Sequence, residues 1–329
     1  MEETSKKKIF LLGRFSSRTD EGRMNLNILE SLETCYELMD NYQKNVLKIL
    51  VQIKRCDIVF ICSDMEKNSW IINIAHICKK KIIYLMHSAE SYEDEEKLGR
   101  GRVDFDTQLG EVFSKVDRII CTSLRTKRRL GEIFPKYMEK ISVIYDCLDF
   151  KMLAEGESIR GLREEQVLTT EDGVVEKDNS SIAKAIFNLD SNLKYYVVGQ
   201  GKINRDIIEK YPNVVIYNHM PGKEIYKFMQ TSTIYVENNV CQVFGIEAIE
   251  ALYFGCSLLV SQQIESLELF ENLTENDIIY NIYDVREVER KLQYLRKHEN
   301  NQRLRYGLNW GKITREYQVK EIEKIISEL

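Results

Sequence analysis

The sequence predicts an α/β protein of two domains, each built on a doubly wound parallel sheet covered by helices on both faces. Three observations predict it. Short, continuous apolar runs alternate with longer stretches of helical spacing along most of the chain, the pattern of strands buried on both faces. The alternation breaks once, over the charged residues 151–166 with Gly156 and Gly161, and then resumes. The 329 residues fit two domains at roughly 100–200 residues each, long enough for a substantial core in both.

In chain order, Lys8-Ile9-Phe10-Leu11-Leu12-Gly13 is the first expected strand. Residues 24–53 are expected as helix, because Leu26, Leu29 and Leu32 recur at near-helical spacing. Further strands are expected at 57–62, 81–86, 118–122 and 141–145, with a helix at 67–78. Residues 151–166 are taken as the linker. The second series places strands near 167–170, 194–198, 213–217, 233–236 and 257–260. The last stretch is helical and charged. The expected domains are 1–155 and 156–310. The helix of 311–329 either crosses back to the first domain or stays on the second.

Charge and cysteine usage exclude several classes. Lys and Arg total 47 against 52 Asp and Glu, so this is no globally basic nucleic-acid binder. No apolar run approaches the ~18 residues of a membrane span, and Met1–Lys8 lacks the apolar core of a secretory signal. The eight cysteines form no C-x-x-C pair and no zinc-like cluster, which points to a reducing cytoplasm. Basic residues cluster at Lys79-Lys80-Lys81, Arg100/Arg102 and Arg125–Arg129. They are either solvated faces or a surface near a phosphate-bearing acceptor or the anionic headgroups on the inner face of a membrane.

The most informative segment runs from Asn239 to Ser261. A strand ends in a polar loop, Phe244-Gly245 opens a helix, and the helix closes at Gly255 before the next strand. Gly245 lets a ligand approach the backbone, and the helix N-terminus offers free N–H groups to a phosphate. Glu250 is placed to accept bonds from two vicinal hydroxyls. A plain βαβ unit with an exposed glutamate is the alternative.

This segment resembles the donor-site signature of retaining family-4 glycosyltransferases of the GT-B fold, E-x-F-G-x-x-x-x-E-A-x-A-x-G-x-P-V-V. Phe244, Gly245, Glu250, Ala251 and Gly255 match in register, while Gln242 replaces the first Glu and Ser257 the Pro. Val197–Gly201 resembles the family's V-G-x-G strand end, and Val214–Tyr226 its nucleobase-holding segment. Gly13 with Thr19-Asp20-Glu21-Gly22 resembles the N-terminal glycine loop, and Tyr145–Phe150 the segment closing the first domain.

The resemblance implies two Rossmann-like domains facing a central cleft and a nucleotide-sugar donor held mainly by the second. Glu250 would bind the ribose. Phe244, Gly245 and Ile246 would present backbone to diphosphate and sugar, and Gln242 would face the sugar hydroxyls. Lys177 would neutralise the diphosphate, and His87 would bond the sugar near the reacting centre. Gly13, Gly22, Gly199, His219 and Met220 complete the implied donor contacts. Where the family has an Arg before that Lys, this chain has Asp172.

The resemblance further implies a metal-independent transferase with no cofactor, acting with retention on a glycan, lipid-linked or protein-linked acceptor in bacterial surface-glycan synthesis. A homo-oligomer or a partner transferase stays open. Asp104-Phe105-Asp106 matches a D-x-D metal motif but follows a loop-like stretch, and is set aside. His76 is taken as structural and His298 as exposed. Two other readings remain. Asp172 and Gln242 motivate a weakened, accessory transferase-like subunit, and the fold also serves nucleotide-sugar epimerases and glycoside phosphorylases.

Overall fold

A computed structural model describes residues 7–13, 15, 25, 36–40, 45–62, 65–86, 102–156, 163–171, 176–199, 207, 210–218, 220 and 222–329. The chain divides into two compact units, Met1–Cys147 with Gly311–Leu329, and Leu148–Trp310.

The first unit is a six-stranded parallel sheet. Its strands are β1 (Ile9–Gly13), β2 (Tyr36–Asp40), β3 (Ile58–Cys62), β4 (Lys81–Met86), β5 (Arg118–Cys121) and β6 (Ile141–Val143), in the order β2-β1-β3-β4-β5-β6. Each strand of β1, β3 and β4 is apolar on both sides because both sides are covered. Phe10, Leu12, Val59, Ile61 and Ile82 face one core with α1 (Val46–Arg55), α2 (Met65–Ile77), α3 (Arg102–Lys115) and α4 (Leu124–Ile133). Ile9, Leu11, Ile58, Phe60 and Ile83 face the other.

The second unit opens with α5 (Phe150–Gly156). It is also a six-stranded parallel sheet, of β7 (Glu164–Glu171), β8 (Lys194–Gly199), β9 (Val214–Asn218), β10 (Ser232–Glu237), β11 (Ser257–Ser261) and β12 (Ile278–Ile279), ordered β12-β11-β10-β7-β8-β9. The chain builds outward from β7 to β9, then crosses back to β10 and builds the other way. The switch point lies between β7 and β10. Helices α6 (Asn179–Leu189) and α9 (Val285–Lys297) seal one core through Ile182, Ile186, Val288 and Leu292. Also in this unit are α7 (Gly222–Thr231), α8 (Ile246–Tyr253) and α10 (Asn301–Gly307).

The final helix, α11 (Arg315–Ser327), buries Ile322, Ile325 and Ile326 among Ile9, Leu11, Ile58 and Phe60 of the first unit. Its buried Gln318 accepts from the Cys147 thiol at 3.1 Å and donates to the Tyr145 carbonyl at 3.4 Å.

Two expectations need correction. Residues 36–40, inside the stretch expected as helix, form a strand, paired with β1 from Ile9↔Tyr36 to Gly13↔Asp40. Partner geometry at the sheet edge decides here, and the leucine spacing before it does not extend through these residues. The segment taken as a linker contains α5, which buries Leu153 and Gly156 and turns Lys151 and Glu155 to water. The first residues of β7 also fall in it, while 157–162 lie outside the described residues.

Replacing Ile322 with Ala should cost about 2–5 kcal/mol, as for other fully buried large-to-small changes. Urea unfolding of the full chain measures it, and a change below about 1 kcal/mol would mean that α11 does not seal this face.

Candidate functional site

The carboxyl ends of β7, β8 and β10 carry a buried polar network at the switch point of the second sheet, where doubly wound folds bind ligands. Lys177 donates to Glu237 Oε1 at 2.5 Å and to the Thr170 carbonyl at 3.0 Å. The other oxygen of Glu237 accepts from the Tyr235 hydroxyl at 2.7 Å, and that hydroxyl lies 2.6 Å from Thr170 Oγ1. A second arm continues it. Asn179 accepts from the Tyr195 hydroxyl at 2.8 Å and from Asn238 Nδ2 at 2.9 Å, and donates to Glu171 at 2.9 Å.

Both charges of the Lys177–Glu237 pair are buried. Burial alone pushes the Lys177 ammonium down. The Glu237 carboxylate, followed by Glu247 and Glu171, outweighs it and holds the group above its usual range. Burial raises the Tyr195 and Tyr235 hydroxyls, with nearby carboxylates adding to the effect. They therefore serve as neutral hydrogen-bonding groups.

The backbone ties the network to the Phe-Gly helix. Lys177 and Asn239 form an antiparallel bridge. Val240 N donates to the Glu176 carbonyl at 2.9 Å, and Asp178 N to the Asn238 carbonyl at 3.2 Å. This lays 176–178 along the loop that leads from β10 to α8. Buried Gln242 and Phe244 lie on that loop. The Val243 and Phe244 carbonyls are taken by the amides of Glu265 and Ser266 at 2.8 and 3.1 Å. Gly245 then caps α8 at φ 75°, in the left-handed region open to glycine. A Cβ there would lie 2.7 Å from Ile264 Cγ2. The first-turn amides of α8, including Ile246, have no acceptors within the helix.

Glu250 is buried on α8 and accepts from the Tyr226 hydroxyl of α7 at 3.2 Å. The Tyr226 ring packs against Phe254 with centroids 4.9 Å apart. Gly199 ends β8 opposite Glu171, so close that a Cβ would overlap the Glu171 backbone. Its carbonyl accepts from Met220 N at 3.1 Å.

Of the residues singled out in the sequence, Lys177, Gly199, Met220, Gln242, Phe244, Gly245, Ile246 and Glu250 all belong to the second unit, on or beside these strand ends. Gly13 ends β1 in the first unit, in register with Cys62 of β3. His87, Gly22, His219 and Asp172 lie outside the described residues. Asp104–Asp106 falls within the first turns of α3, and the stretch before it, 99–101, lies outside the described residues. Among the described residues, no group of three His, Cys, Asp or Glu side chains gathers to hold a metal. His76 and His298 are exposed.

Glu237, Tyr235, Tyr226 and Asn179 were not foreseen. The available signal for Glu237 was a carboxylate directly after the apolar run Thr233-Ile234-Tyr235-Val236, where a buried strand end has few ways to satisfy a charge.

The sequence matches no family model and no curated protein. Among solved structures, the chain is similar to HepE from Anabaena, crystallised with UDP and glucose. The TM-score is 0.74 at 12% identity, covering 98% of this chain and 100% of that one. It is also similar to a glycosyltransferase from Rickettsia africae, with TM-score 0.66, 12% identity and 98% of each chain covered. A third likeness is to sucrose-phosphate synthase from Thermosynechococcus elongatus, with TM-score 0.68, 10% identity and 98% of each chain covered. The likeness establishes the fold: two parallel α/β sheets of the GT-B type.

Removing one member of the buried pair, by Lys177→Met or Glu237→Gln, should cost about 3–5 kcal/mol, and the double variant less than the sum. Because the folded-state value of Lys177 is raised, its contribution is complete below the unfolded value of about 10.4 and fades as pH rises through the folded value. Urea unfolding of wild type and Lys177→Met should therefore differ most at neutral pH and converge at strongly alkaline pH. A constant difference would rule out the ammonium as the source.

Proposed function

We propose that the protein is a glycosyltransferase that moves a sugar from a nucleotide-sugar donor to an acceptor. The observation that carries this reading is the junction of β10 and α8. There the Lys177 network at the ends of β7 and β10 is bridged to the loop that leads into glycine-capped α8, and α8 carries buried Glu250. The neighbours support it: HepE structures are described with UDP and with UDP-glucose. A trehalose-6-phosphate synthase structure is described in terms of glycosyltransfer with retention.

In this reading the donor diphosphate meets the N-terminus of α8, whose dipole favours negative charge. The reaction builds positive charge at the anomeric carbon and negative charge on the leaving diphosphate. Stabilising that leaving group is the protein's main task. Glu250, with one oxygen anchored by Tyr226, offers its carboxylate to vicinal ribose hydroxyls. Gln242 orients sugar hydroxyls without adding charge. His87 bonds the sugar, and no metal or cofactor takes part. The product keeps the donor's anomeric configuration. The acceptor is a glycan or a lipid-linked or protein-linked saccharide of a bacterial surface polymer, modified on the cytoplasmic side.

One observation favours a second reading. Lys177, the cation that the resemblance assigns to the diphosphate, is neutralised by Glu237, and Gln242 stands where the family has a charge. A weakened, accessory member of a glycosylation complex would carry such changes.

Thermal melting with UDP, GDP, dTDP, ADP and CMP, alone and as sugar conjugates, separates the two. A nucleotide at 100 times its dissociation constant stabilises by about 2.7 kcal/mol. Stabilisation by one base that disappears in Glu250→Ala is the expected result. No shift with any nucleotide, in well-folded protein, would transfer the protein to the accessory reading.

A further inference from the structure

Helix α1 (Val46–Arg55) is apolar on two sides, and the sheet accounts for only one of them. Ile49, Gln52 and Ile53 are buried on the first unit. On another side Val46 is 50% exposed, Leu47 77%, Leu50 37% and Val51 46%. Positions 46, 47, 50 and 51 are neighbours on a helix surface, so the four side chains form one outward apolar patch. Ile77, 76% exposed at the end of α2, is a further apolar side chain left in water.

Most of the charge around the patch is positive; the carboxylates nearby are Asp57, just beyond α1, which accepts from Lys8 N, and Asp117. Helix α1 carries Lys48, Lys54 and Arg55 and no carboxylate. Residues 75–81 contribute Lys79, Lys80 and Lys81, again without a carboxylate. Lys80 reaches across to the end of α1, donating to the Lys54 carbonyl at 3.2 Å and the Cys56 carbonyl at 2.7 Å. That contact places the lysine run beside the helix. Lys81 is paired with Asp117. Among the described residues no carboxylate pairs with Lys48, Lys54, Arg55 or Lys79.

We propose that α1 docks the protein on an anionic lipid bilayer. Val46, Leu47, Leu50 and Val51 enter the boundary between headgroups and acyl chains, while the surrounding cations lie among the phosphates, as in interfacial amphipathic helices. A second copy of this chain fits the patch less well. A two-fold contact would set the same cations against each other. Four apolar side chains also fall well short of the roughly 800 Å² per partner of a stable interface. The surface belongs to the first unit and is independent of the nucleotide site.

The test is co-sedimentation of the full chain with vesicles of phosphatidylcholine alone and with about 30 mol% phosphatidylglycerol. Binding to the anionic vesicles should be stronger by about tenfold or more and should weaken with salt. The double variant Leu47→Glu/Leu50→Glu should abolish it. The double variant Lys48→Glu/Lys54→Glu should weaken it while leaving the apolar patch intact. All four positions are exposed, so each variant should keep the wild-type melting temperature, which separates lost docking from lost folding. Absence of binding to anionic vesicles, equal binding to both vesicle types, or unchanged binding in both folded variants would overturn the proposal. So would a dimer in solution that Leu47→Glu/Leu50→Glu disperses, with no vesicle binding, since the patch would then belong to a second copy.

Discussion

The buried pair of Lys177 and Glu237 organises the second unit's strand ends. A carboxylate at the end of a strand with no water on either side must find a cation and further donors, because desolvation of two charges can exceed their attraction. Glu237 uses one oxygen for the ammonium and the other for Tyr235, and Lys177 adds the Thr170 carbonyl. Meeting these demands binds residues 176–178 to the end of β10. The same residues form the backbone bridge to Asn239, so the loop that delivers Gln242, Phe244 and Gly245 is held at its start. The loop that opens α8 is thus tied to the charge pair through the backbone of 176–178.

Much of the architecture was legible because parallel strands buried on both faces read as unbroken apolar runs. Ile58–Cys62 and Lys81–Met86 needed no knowledge of their partners. Tyr36–Asp40 did need it. A five-residue edge strand carrying Glu37 and Asp40 has neither a continuous apolar run nor clean alternation. Its identity comes from register with β1, a non-local fact. For α5, seven residues holding Lys151 and Glu155 are too few to show a helical period.

The candidate site divides along the same line. Gly245 and Glu250 were legible because the backbone chemistry of a strand–glycine–helix junction leaves a local signature. Glu237, Tyr226 and Asn179 were not, since their roles depend on residues 60, 24 and 59 positions away in Lys177, Glu250 and Asn238. The structure also alters the reading of Lys177. In the sequence it is a cation available to a phosphate; in the fold its charge is balanced by Glu237.

The return of α11 to the first unit has a consequence for how the protein is made. The face formed by Ile9, Leu11, Ile58, Phe60 and Ile83 is completed by side chains at 322–326. Everything from Leu148 to Trp310 is synthesised in between. At about 5–20 residues per second, the nascent first unit carries an incomplete apolar face for on the order of ten seconds or more. The second unit, contiguous in sequence, has no such wait. Synthesis therefore favours an order in which the unit begun second is finished first, and the earlier one is closed only once α11 has been made.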